Sequence, residues 1–295
     1  MDPELAKHLY EYKPRDGLWF TSYLIEEIGR KRGCFETTLD LGVSWTRVCI
    51  VDDLLVTQKG EIELSTVAPS HVDRIVYYDP SKPEHYEVVR STDNGFYKLK
   101  AIAKDKAPTI EINGIHMHRI KGIDPWSDTR TKINALNVKR GHRVLDTCMG
   151  LGYTAIMAML RGASEVHTVE VDENVIWIAE HNPWSQGLGN PRIRILHGDV
   201  TQLVHDMPSD YYDRIIHDPP RYSSSTGDLY SGEFYRELYR ILRPGGRLFH
   251  YTGEPRRHGS PSIVKGIGER LRKAGFYRVY YDSRSQGYVA LKPII

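Results

Sequence analysis

Four acidic residues, Asp146, Glu170, Asp199 and Asp218, each close an apolar run, and the residues beside them narrow the chemistry open to them. Val144-Leu145-Asp146-Thr147-Cys148-Met149-Gly150-Leu151-Gly152 joins an aliphatic run to a glycine-bearing turn, and Glu170 lies eighteen residues past Gly152 at the end of the next apolar run. Glycines between a strand and a helix let the backbone approach a ligand, and an acid at the tip of the following strand can accept both hydroxyls of a ribose. The pair implies an adenosine-containing cofactor. Ile215-Ile216-His217-Asp218-Pro219-Pro220-Arg221 ends another apolar run in a carboxylate and two rigid prolines. An amine conjugated into a ring is a poor nucleophile until its N–H bonds are held. The Asp218 carboxylate and the Pro219 carbonyl can accept both hydrogens and aim the nitrogen at an electrophile. Attack on a pyrimidine carbon would instead need a cysteine beside this motif, and none is there. Cys148 reads as a small buried residue. His217 reads as a structural histidine before a proton acceptor.

These residues need a parallel sheet to bring them together. From Asp124 onward, strands alternate with helices: strand Arg143 to Asp146, helix Tyr153 to Arg161, strand Glu165 to Glu170, helix Glu173 to His181, strand Arg192 to Leu196 and a short helix near Val200 to Val204. A fourth strand, Asp213 to His217, leads through a polar loop, Tyr222 to Tyr230, to a helix over Gly232 to Leu242. The turn Arg243 to Gly246 then opens a fifth strand, helix Ser262 to Ala274 follows, and an antiparallel pair at Tyr277 to Asp282 and Gly287 to Leu291 closes the sheet. Residues 1–125 read differently, as a small β-rich accessory domain. Its strands are expected at Trp45 to Val51, Ile75 to Tyr78, Tyr86 to Val89 and Phe96 to Ala101, with a helix over Leu18 to Gly29. The expected fold is therefore α/β, a Rossmann-like sheet over 126–295 behind a small α+β domain.

The Val144 to Gly152 run resembles motif I of the class I S-adenosylmethionine-dependent methyltransferases, with Cys148 where the family's first glycine usually stands. Glycine is needed only where φ is positive or atoms crowd, so that exchange is tolerable if Cys148 keeps a negative φ. The resemblance implies S-adenosylmethionine as cofactor. It implies contacts from Asp146, Thr147, Gly150 and Gly152, from Glu170 and Val171 at the second strand, from Asp199 and Val200 at the third, and from Thr129, with Lys132, in the segment before motif I. Asp199 also suits a helix N-cap. Asp218-Pro219-Pro220 is similar to motif IV of the methyltransferases that modify exocyclic amines, where an aromatic follows the prolines. Here Arg221 holds that place and Tyr222 comes one later, so either Tyr222 stacks on a base or Arg221 supplies the planar surface and a phosphate contact. The whole chain resembles a group of archaeal methyltransferases with a small amino-terminal domain. The implied substrate is an exocyclic amine of structured RNA, first cytidine N4 of ribosomal RNA, with guanine N2 or adenine N6 of tRNA or rRNA as alternatives.

Bulk properties limit the rest. The formal charge of +2 hides an asymmetry: from Arg236 on there are thirteen Lys and Arg against four acids, whereas residues 1–125 carry twenty acids against seventeen bases. An Arg-weighted section suits phosphate contacts, with Arg256 and Arg257 the foremost candidates. Cys34, Cys49 and Cys148 show neither disulfide-framework nor zinc spacing, which implies a reduced, cytoplasmic setting and no metal. No run is long and apolar enough for a bilayer, and no membrane role is expected. Aminopropyltransferases share the expected fold and form a second reading, which Arg221, Arg256 and Arg257 oppose. A non-catalytic RNA-binding module is a third, opposed by the intact Asp146, Glu170 and Asp218. Oligomeric state is left open.

Overall fold

The computed structural model describes residues 3–82, 84–253 and 261–294, the last stretch as backbone alone up to 264. The chain forms two compact units: one of Met1–Tyr12, Asp128–Glu173 and Leu188–Ile295, the other of Lys13–Ser127 and Asn174–Gly187.

The first unit is built on an eight-stranded sheet. Its strands are β1 (Leu9–Tyr10), β2 (Arg143–Asp146), β3 (Glu165–Glu170), β4 (Ile193–His197), β5 (Tyr212–His217), β6 (Leu242–Tyr251), β7 (Tyr277–Asp282) and β8 (Gly287–Leu291), in the spatial order β1-β4-β3-β2-β5-β6-β8-β7. Strands β2 to β6 are mutually parallel, and β1 and β8 run against them. All six residues of β5 are buried, as its apolar run requires at the centre of a two-sided sheet. Helix Gly232–Ile241 buries Phe234, Tyr235, Leu238 and Ile241 at helical spacing, and Ser231 caps it by accepting from the Phe234 N–H. Each such burial stabilises by roughly 1.5–3 kcal/mol. These side chains join Leu145, Ile215, Leu248 and Ala290 in one core.

The winding reverses between β2 and β5, which lie side by side with Asp146 opposite Ile216. A crevice outside the carboxyl ends of the strands at such a reversal is where open α/β sheets hold ligands. Two features were not expected. Strand β1 adds an edge by pairing Leu9 with Leu196 and Tyr10 with Ile195. The Arg243 to Gly246 turn is an irregularity inside β6, which already pairs Leu242 with Tyr212, so the strand starts five residues before the expected Arg247.

The second unit carries three antiparallel sheets. The helix expected over Leu18 to Gly29 is instead strand Leu18–Thr21 followed by helix Ser22–Gly29. Thr21 makes the break, in extended backbone with its side chain accepting from the Leu24 N–H, and the aromatics before it favour a strand. The strand expected over Tyr86 to Val89 divides at Val88 into Glu84–Glu87 and Val89–Thr92, which belong to different sheets. The cysteine reading is corrected as well: Cys34 and Cys49 form a disulfide. They face each other directly on the antiparallel strands Gly33–Thr37 and Thr46–Val51, with Cα atoms 4.0 Å apart, a proximity that a separation of 15 residues does not reveal. Cysteine usage therefore gives no reading of compartment, since disulfides also occur inside cells of hyperthermophiles.

Candidate active site

Asp146 ends β2 fully buried. Its Oδ2 accepts from Thr154 Oγ1 at 2.7 Å and Thr168 Oγ1 at 3.0 Å, while Oδ1 is buried without a hydrogen-bond partner. Burial pushes its carboxyl up to about 7, against the pull of the two threonines and the Cys148 amide. The following turn needs its glycines. Gly150 and Gly152 have φ of +54° and +73°, whereas Cys148 stays outside the left-handed region, as the exchange of the first glycine demands. A side chain at Gly152 would collide with Leu188 at 2.5 Å, but one at Gly150 would meet nothing within 4 Å, so open space lies over Gly150.

Glu170 closes β3 and braces this turn. Its Oε2 accepts from the Gly150 N–H, and its Oε1 from the N–H groups of Val171 and Asp172, all at 3.0 Å. Burial raises its carboxyl to about 7 despite those donors. Val171 beside it is 63% exposed, an apolar surface at a strand tip. Asp199 caps helix Val200–Leu203, accepting from the Thr201 N–H at 2.8 Å, and Val200 is buried behind it.

Next to β2, His217 and Asp218 end β5. His217 is buried between Thr147 Oγ1, 2.7 Å from Nδ1, and the Leu229 carbonyl, 2.9 Å from Nε2. The carbonyl can only accept, so Nε2 carries the proton and Nδ1 accepts from Thr147. Burial lowers its pKa to about 3, and the ring is a neutral tie between two strands and the polar loop. Thr147, expected at the cofactor, spends its side chain on this tie.

Asp218 Oδ2 lies 2.6 Å from Lys132 Nζ. The ammonium also lies 3.2 Å from Asp128 Oδ2 and 4.1 Å from the centre of the Tyr251 ring. Lys132 and Asp128 are buried on helix Pro125–Leu136, as is Thr129. Burial works against the Lys132 charge, yet Asp218 and Asp128 more than offset it and hold its pKa above the ordinary lysine value. Lys132 is thus drawn to Asp218, not to the cofactor surface expected for it. Asp128 and Tyr251 were missed altogether. The signal available was an Asp and a Lys four residues apart, which ordinarily reads as an exposed helix pair.

Past Asp218, Pro219 is buried, and the Pro220 carbonyl accepts from Tyr230 Oη at 2.6 Å. Among the described residues no donor reaches Asp218 Oδ1 or the Pro219 carbonyl, so two acceptors remain at the switch point. Arg221 is exposed, and Tyr222, 55% exposed, sits edge-on to Tyr230 with ring centres 5.5 Å apart. Arg256 and Arg257 lie outside the described residues.

Comparison with known proteins agrees with this architecture. The family model described as "Methyltransferase small domain" matches residues 120–264. An uncharacterized protein of Methanocaldococcus jannaschii is 50% identical over 203 residues, 68% of this chain and 69% of that one. Polyamine aminopropyltransferase 2 of Streptomyces coelicolor is 35% identical over 127 residues, 41% of this chain but 22% of its own. Ribosomal RNA large subunit methyltransferase I of Aeromonas hydrophila is 29% identical over 125 residues, 40% of this chain and 32% of its own. The chain therefore spans less than a third of either named enzyme. Spermidine synthase from Thermotoga maritima shares the fold with a TM-score of 0.56 at 18% identity, over 99% of this chain and 85% of that one. With the glycine-bearing turn, the strand-end acids and the family match in agreement, the chain belongs to the class I S-adenosylmethionine-dependent methyltransferases, in one family with the M. jannaschii protein.

Proposed function

We propose that the enzyme transfers methyl to an exocyclic amino nitrogen of structured RNA, with cytidine N4 of ribosomal RNA as the first target and guanine N2 or adenine N6 of rRNA or tRNA as alternatives. The observation that carries this reading is the pair of open acceptors, Asp218 Oδ1 and the Pro219 carbonyl, set beside the cofactor turn while their neighbours, Asp218 Oδ2 and the Pro220 carbonyl, are filled. Two acceptors match the two hydrogens of an aromatic amine. They turn its lone pair out of conjugation and fix the line of attack.

The cofactor side fits S-adenosylmethionine. The unpartnered Asp146 Oδ1 suits its ammonium, the open space over Gly150 leaves room for its methionine part, and we assign ribose and adenine to Glu170 and the exposed Val171. Thr129, Gly152, Asp199 and Val200 complete the proposed surface. When bound, this group supplies an electrophilic methyl. Asp218 then holds the amine, takes up the proton released as the new N–C bond forms, and returns it to water. Tyr222 offers a stacking surface for the target base, and Arg221, Arg256 and Arg257 phosphate contacts. The A. hydrophila relative supports an RNA substrate. We place the enzyme in the cytoplasm with its RNA, and assign residues 1–125 to an accessory domain that supports or orients it. No helix among the described residues is long and apolar enough to cross a membrane.

A second reading, aminopropyl transfer to a polyamine, is favoured by the S. coelicolor relative and opposed by the exposed Arg221 beside Asp218. One assay separates the two: labelled methyl transfer from S-adenosylmethionine to RNA lacking the modification, with nucleoside mass spectrometry. Methylated cytidine N4 is the expected product, and another methylated amine would keep the chemistry and change the base. Unlabelled RNA, with product from putrescine and decarboxylated S-adenosylmethionine, would establish the second reading instead.

A further inference from the structure

A lysine with no access to water is costly unless its charge is compensated, so a buried ammonium needs a reason. Lys132 has three neighbours, two carboxylates and a ring: Asp218 at 2.6 Å, Asp128 at 3.2 Å and the face of Tyr251 at 4.1 Å. They come from a strand end, from its own helix one turn earlier, and from the end of β6, so Nζ is held from three sides. We propose that Lys132 is a positioning residue for Asp218: it occupies Oδ2, keeps the carboxylate charged, and leaves Oδ1 as the single oxygen able to accept from the substrate amine. This rests on the role given to Asp218 above.

The surroundings show why such a cation is needed. Asp218 is faced by Lys132 and Asp128 from helix Pro125–Leu136, by Asp146 and Cys148 from the cofactor turn and by Tyr230 from the polar loop, while Tyr251 from β6 faces Lys132. Lys132 is the only cation in that set. Burial raises the Asp218 pKa and Asp128 adds to the rise, and among the described residues Lys132 is what pulls it down. Without the ammonium the carboxyl would hold a proton to higher pH. A protonated carboxyl presents a donor to a group that is itself all donor, so one of the two holds on the amine would be lost. Fixing Oδ2 also fixes the carboxylate plane, which sets where Oδ1 points.

The test is a 13C titration of aspartate carboxyls in the full-length protein without RNA, the Asp218 signal being identified by its loss in Asp218→Asn. Lys132→Met should move the Asp218 midpoint upward by at least about tenfold in proton concentration, the scale expected when an opposite charge within hydrogen-bonding distance is removed. Lys132→Arg, which keeps the charge, should stay much closer to wild type. The acid limb of the pH–rate profile for RNA methylation should move with the midpoint, and calorimetric S-adenosylmethionine affinity should stay unchanged. An unmoved midpoint in folded Lys132→Met overturns the proposal. If that variant does not fold, Asp128→Asn provides the measurement: removing the like charge should lower the Asp218 midpoint, and no change would overturn the proposal equally. Absence of RNA methylation by the wild type would refute the substrate reading while leaving the titration result standing.

Discussion

The two ends of strand β5 carry an aspartate each, and the contrast between them separates architecture from chemistry. At the amino-terminal end, Asp213 is buried with both oxygens filled: Oδ1 lies 2.6 Å from Arg243 Nη1, and Oδ2 accepts from the Arg143 N–H at 2.7 Å. At the carboxyl-terminal end, Asp218 is held by one oxygen and left open at the other, and adjacent Asp146 likewise keeps a buried oxygen without a partner. Two open carboxylate oxygens on adjacent strand ends, at the reversal of an open sheet, mark that edge as a place where a ligand completes the fold.

Mutation of the two aspartates should break them in opposite ways. Asp218→Ala should reduce methyl transfer by at least about a hundredfold, the scale of a lost proton-handling group, while cofactor affinity stays within a few-fold. Equal loss of both in calorimetry and a transfer assay would contradict the assigned role. Asp213→Ala should do the reverse. Arg243 is half exposed and can be hydrated, so the main loss is the buried acceptor of the Arg143 N–H, which should cost about 1–3 kcal/mol of stability, read by denaturant unfolding, with turnover of the folded fraction nearly retained.

A smaller effect sharpens the comparison through pH. The Asp146 carboxyl is raised to about 7 by burial, so the folded protein binds a proton that the unfolded chain, with an ordinary carboxyl, has already released. The sign follows: stability without ligand is highest below the unfolded value near 4, falls as pH rises toward 7, and levels off above it. Glu170, also raised to about 7, acts in the same direction. Asp146→Asn should flatten this slope in thermal melts while weakening S-adenosylmethionine binding. An unchanged slope would mean that Asp146 is charged in the fold across the range.

The positions of this asymmetry were largely legible before any coordinates. Apolar runs bounded by turn residues gave β2 and β3 at their observed limits, because a buried parallel strand leaves an uninterrupted aliphatic signature. Asp146, Glu170 and Asp218 all emerged at strand ends. The partners of Asp218 were not legible. Lys132 is 86 residues away in sequence, and its pairing depends on how a helix packs over the sheet. Strand Leu18–Thr21 was hidden because its apolar residues continue into the helical pattern that follows, and Thr21 resembles any surface threonine until its capping bond is seen. The Cys34–Cys49 bond depended on register, which composition does not encode.

Strand β1 has a consequence for the order of assembly during synthesis. Leu9 and Tyr10 pair with Leu196 and Ile195, partners made about 185 residues later. At typical translation speeds the early segment waits roughly 10 to 40 seconds for them. Until then the pairing edge of β4 does not exist, and afterwards it stays open until Leu9 and Tyr10 return to cover it. A segment made long before its partner strand is thus among the last to be placed, sealing a strand edge that would otherwise be free to capture other nascent chains.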